Sequence, residues 1–68
     1  MMEIRRIDIT AGGEKYHVPF EALWGFLAEL PQDEPVELEM DTNKNTINRK
    51  FDSPSDLSYY IESFLDNR

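Results

Sequence analysis

The four prolines of this 68-residue chain divide it before any hydrophobic pattern is considered. Proline lacks a backbone N–H and fixes φ, so it opens helices, ends them or sits in connectors. Pro19 and Pro54 each precede a stretch of helical periodicity. After Pro19, the residues Phe20, Leu23, Trp24, Leu27 and Leu30 recur at i, i+3, i+4 spacing, and Pro31 closes the segment near Leu30. Gly25 inside this helix costs roughly 1 kcal/mol relative to alanine, and close packing of the helix backbone on a neighbour is the expected reason. After Pro54 the stripe is Leu57, Tyr60, Ile61, Phe64 and Leu65, with Ser53 as the cap and Asp56 three residues beyond it. This second helix is expected to end near Asn67. Pro31 to Pro35 reads as a rigid polar connector.

The segments left between the prolines have period 2, the signature of strands. Residues 3 to 10 carry Ile7 and Ile9 in phase and Ile4 out of phase, so either Ile4 faces the other side or a bulge lies near Arg5 and Arg6. Gly12 and Gly13 mark a turn, and Lys15 to Val18 returns as a second strand. Residues 36 to 41, VELEMD, form the third strand. A turn over Thr42 to Asn45, rich in residues that tolerate positive φ, leads to a fourth strand from Thr46 to Asp52. Hairpin, helix, hairpin, helix is a ββαββα order. The expectation is one α+β domain over residues 1–68, a four-stranded antiparallel sheet with two helices on one face. The other sheet face is then open to solvent or a partner.

Composition narrows the function. Apolar residues make up 40% and aromatics 12%, too much for a disordered chain. There is no cysteine, so no disulfide and no zinc–thiolate site. No apolar run reaches membrane-spanning length, and the N-terminal residues lack the apolar stretch of a signal peptide. A cytoplasmic location is the expectation, with no membrane partner.

Chemistry-bearing motifs are few. The single histidine, His17, has no carboxylate or nucleophile near it in sequence and reads as a surface or edge residue. The serines are explained by capping and by the polar face of the last helix. Asp41-Thr42-Asn43-Lys44-Asn45 matches the opening of a calcium loop, but Thr46 stands where that loop needs glycine and Asp52 where it needs glutamate. A polar hairpin turn is the better reading. No nucleophile–base pair is found, so the chain is expected not to be an enzyme and to need no cofactor or metal.

Charge is the feature that remains. Net charge is −7 from 14 acids and 7 bases. No Lys or Arg lies between Lys15 and Lys44, an interval holding seven acids: Glu21, Glu29, Asp33, Glu34, Glu37, Glu39 and Asp41. The other seven acids balance all seven bases. Direct nucleic-acid binding is disfavoured, because phosphate contacts need clustered cations. Glu37, Glu39 and Asp41 line one face of the third strand at about 6.5–7 Å intervals. Across the Thr42–Asn45 turn they face Lys50, Asn48 and Thr46, so only Glu37 is expected to have a cation opposite it. Arg49 is expected on the face of Ile47 and Phe51, where it either snorkels past the core edge or is turned outward by a bulge.

Such a row is either a solvated strand face that discourages pairing with other chains or a set of carboxylates presented to a basic protein surface. In size, charge and lack of catalytic residues the chain resembles, as a class, the inhibitors that phages encode against host nucleic-acid-binding defences, including anti-CRISPR proteins. That resemblance implies occupation of a basic, nucleic-acid-binding protein by phosphate mimicry, with Glu37, Glu39 and Asp41 at the centre and Asp33, Glu34 and Glu29 in support. The alternative is a small accessory domain, monomeric or weakly dimeric, that docks through exposed aromatics. Trp24 and Phe26 lie about 200° apart on one helix, so they cannot both face the sheet. Trp24, Phe26 and Tyr59 are the candidates for that surface.

Overall fold

A computed structural model describes residues 3–66. Strands β1 (Ile4–Ala11) and β2 (Glu14–His17) form the first hairpin. Its turn needs positive φ twice, and Gly12 at 60° and Gly13 at 82° supply it without a side-chain clash. Strands β3 (Val36–Thr42) and β4 (Thr46–Phe51) form the second hairpin. All neighbours are antiparallel and the order is β2-β1-β3-β4, which places the first strand of each hairpin at the centre.

The register of β1 against β3 slips between Ile4 and Arg6. This bulge answers the phase problem of the first strand. It lets Ile4 pack on the same core as Ile7 and Ile9.

Helix α1 (Leu23–Glu29) is shorter than its hydrophobic stripe. Phe20 to Ala22 form a 3-10 turn after Pro19, and the α-helix begins only at Leu23. Leu30, directly before Pro31, is extended at φ −79° and ψ 153°, as steric conflict with a following proline favours. The Gln32 amide donates to the Leu27 and Leu30 carbonyls at 3.0 and 2.7 Å, closing the helix end without a glycine. Helix α2 (Pro54–Asp66) starts as its sequence demands: the Ser53 hydroxyl accepts from the Asp56 amide at 3.2 Å. The expected end of this helix near Asn67 lies outside the described residues.

The β3–β4 turn closes without any non-glycine positive φ, contrary to the expectation from its composition. Thr42 is the reason. Its amide donates to the Asn45 carbonyl at 2.8 Å, and its hydroxyl accepts from the Lys44 and Asn45 amides.

Both helices cover one face of the sheet, giving the expected two-layer α+β fold. The core joins Ile7, Ile9, Val36, Leu38 and Met40 from the sheet to Leu23, Leu27, Leu57 and Ile61 from the helices, none more than 4% exposed. At the β4 edge Phe51, Tyr60 and Phe64 stack, and the Arg49 guanidinium lies 5.0 Å from the Tyr60 ring centre. Arg49 is thus on the helix side of the sheet, with its charge over an aromatic rim.

Gly25 corrects an expectation. Its φ is unremarkable, and a Cβ built there would meet nothing within 4 Å. Among the described residues no neighbour packs against that backbone.

Candidate functional site

Strand pairing lays out the open face of the sheet as a polar grid. Lys15 and His17 come from β2, and Arg6, Asp8 and Thr10 from β1. Asp41, Glu39 and Glu37 come from β3, opposite those three β1 residues in order. Thr46, Asn48 and Lys50 complete it from β4. Alternation along β3 turns Val36, Leu38, Met40 and Thr42 inward and the three acids outward.

The acidic row is not left without cations. Arg6 reaches Asp41 at 2.9 Å and Glu39 at 3.6 Å, and it also bonds Asp8. Lys15, two strands away from β3, spans β1 to reach Glu39 at 2.8 Å and stands 4.0 Å from Asp8. The Thr46 hydroxyl donates to Asp41 at 2.9 Å. This overturns the expectation that Glu39 and Asp41 lack partners. The register across β4 is as expected, with Glu37 opposite Lys50, but β3 is a central strand and its other neighbour supplies the charge.

The electrostatic consequences follow the contacts. The Lys15 ammonium, assisted by Arg6, holds the Glu39 carboxyl below its usual range. Arg6 and then the Thr46 hydroxyl do the same for Asp41. In return Asp41 raises the Arg6 guanidinium and Glu39 raises the Lys15 ammonium.

Asp8 is the buried member of this network, 6% exposed, and sequence reading passed over it. Besides Arg6 it holds His17 Nδ1 at 3.0 Å. The carboxylate that local sequence denies to His17 therefore arrives across the hairpin, because Asp8 and His17 are paired residues. The His17 ring is otherwise exposed on the edge strand. Among the described residues no group of three or more His, Cys, Asp or Glu is placed to hold a metal ion.

With four carboxylates set against Arg6, Lys15 and Lys50, the sheet face is close to neutral. The net charge is elsewhere. Residues 18–35 and 52–66, which form the helical layer and its connectors, contain eight acids and no Lys or Arg. Glu29, Asp33 and Glu34 belong to this set, joined by Glu21, Asp52, Asp56, Glu62 and Asp66.

The aromatic candidates separate as helix geometry requires. Trp24 is 40% exposed and Tyr59 73% exposed, both on the helical layer. Phe26 turns inward, half-buried against the core, with its ring centre 5.4 Å from that of Tyr16. Phe20, also 40% exposed, lies beside Trp24 in sequence spacing, four residues earlier. No helix among the described residues is long and apolar enough to cross a membrane. No family model, curated protein or solved structure matches the chain.

Proposed function

We propose that this is a non-enzymatic binding protein that occupies a basic, nucleic-acid-binding surface of another protein. The observation that carries the reading is that the two helices and their connectors hold eight acids and no Lys or Arg, with Arg49 of β4 reaching their side only at the Tyr60 rim. A surface of one sign accelerates encounter with the other sign and repels nucleic acid itself. Carboxylates on a folded scaffold stand where phosphates would, without the entropy cost of ordering a flexible chain.

Within this reading the contact centre moves off the strand row. Glu39 and Asp41 already bond Arg6 and Lys15, so a partner's cations would have to displace those contacts. Glu29, Asp33 and Glu34, with Glu37 at the neighbouring sheet end, are the members of the expected set best supported as partner contacts. A second reading, docking through aromatics, is favoured by the exposure of Trp24 and Tyr59 on the same layer.

The test is capture of partners from native host lysate at low and high salt, using the parent chain and the E29Q/D33N/E34Q variant. The expected result is a nucleic-acid-binding protein retained at low salt, released by added DNA or RNA, and lost with the variant. Capture indifferent to salt, to nucleic acid and to the variant would refute the proposal.

A further inference from the structure

We infer that the outer face of α1 is a docking surface for a basic amphipathic helix of a partner protein, seated against the bare backbone at Gly25 and walled by Trp24. The inference rests on the binding reading above and names the surface and the chemistry of its occupant.

Two large aromatics, Phe20 in the 3-10 turn and Trp24 at the start of α1, are each 40% exposed. Leu23 and Leu27 face the core, so Gly25, about 200° from either, lies at the solvent apex of the helix. Exposed helix positions ordinarily carry long polar side chains with high helix propensity. Here Gly25 and Ala28 are both exposed and small. Among the described residues no other part of the chain lies within 4 Å of a Cβ at Gly25, so neither φ nor packing among them accounts for the glycine. A helix laid against this face could approach closely, since interaxial distance is set by the side chains at the contact.

Charge selects the occupant. Glu21 in the 3-10 turn and Glu29 at the end of α1 bracket the small residues, both exposed, and neither helix nor its connectors carry a Lys or Arg among the described residues. A second copy docked face to face would bring two such layers together, which like-charge repulsion opposes. An apolar ridge flanked by Lys or Arg satisfies both the aromatics and the glutamates.

Trp24 is the single tryptophan, so its emission reports on this face alone. The probes are a synthetic amphipathic helix of leucine and lysine and an oligolysine of equal charge. The amphipathic helix is expected to shift Trp24 emission to the blue and shield it from iodide. Gly25→Gln should weaken that binding about tenfold or more while leaving the melting temperature equal or higher, which separates lost docking from lost fold. Trp24→Ala, followed by calorimetry, should weaken it as well. Equal binding of both probes with no effect of Gly25→Gln overturns the inference and leaves the charge reading standing. Failure of both probes to bind at low salt overturns both. A concentration-dependent dimer that shields Trp24 without any probe also overturns it, by making a second copy the occupant.

Discussion

Replacing Gly25 by alanine should stabilise the protein, which most single substitutions do not do. Alanine exceeds glycine in helix propensity by about 0.8–1.0 kcal/mol in a helix interior. Gly→Ala at compatible sites yields about 0.4–1 kcal/mol, chiefly by restricting the unfolded chain. Both conditions for that gain hold. The residue is inside α1 with no positive φ, and the added methyl meets nothing within 4 Å. For a domain of this size 1 kcal/mol moves the midpoint by about 4–8 °C, so Gly25→Ala should melt about 2–8 °C higher than the parent. Thermal denaturation followed by circular dichroism, with urea titration as a check on the slope, measures it. A midpoint unchanged or lowered would refute the reasoning. It would mean that the backbone at Gly25 is not helical in solution or that the chain itself covers it.

Asp8→Asn removes a 6%-exposed carboxylate that bonds Arg6 and His17; a loss of about 1–3 kcal/mol is expected by chemical denaturation, against less than about 0.5 kcal/mol for exposed Glu62→Gln. Glu39 and Asp41 have lowered folded-state pKa values, so their stabilising contribution is complete above the ordinary carboxylate range. It is lost as pH falls from about 5 through those lowered values. Glu39→Gln with Asp41→Asn should flatten this acid limb of the melting curve, and an unaltered limb would place the proton uptake elsewhere. Raising salt from low levels to about 0.1 M, where the screening length is about 10 Å, should raise the midpoint by weakening repulsion within the helical layer. A fall would show that the ion pairs of the sheet face outweigh that repulsion.

Charge reversal of the strand row is a poor test of partner binding, and the reason lies in the fold. Lysine at Glu39 or Asp41 would stand against Lys15 and Arg6, so lost binding could reflect lost stability. Substitution of Glu29, Asp33 and Glu34 avoids this, because none of the three is ion-paired to a Lys or Arg among the described residues.

The sequence by itself determined much of what depends on neighbours along the chain, though not the late start of α1 or the backbone of the Thr42–Asn45 turn. Proline and glycine placed the boundaries, periods of 2 and 3.6 set strand or helix, Ser53 capped α2, and the out-of-phase Ile4 announced the bulge between Ile4 and Arg6. Alternation also put Glu37, Glu39 and Asp41 on one face. Only the tertiary structure decided what those acids touch. A strand has two sides, and the hairpin turn reveals only one of them. The other neighbour of β3 is β1, some 30 residues earlier, and no local pattern encodes that order. Arg6, Asp8 and Thr10 do alternate in sequence, a signal that becomes readable only once β1 is known to lie beside β3. The same pairing gives His17 its carboxylate. Gly25 shows the converse: its helical setting was legible, but that none of the other described elements packs on it follows only from where those elements lie. Register is local to a turn, whereas strand order is fixed by which faces the whole chain can bury together. That burial turned an acidic stretch of sequence into a neutral sheet face and an acidic helical one.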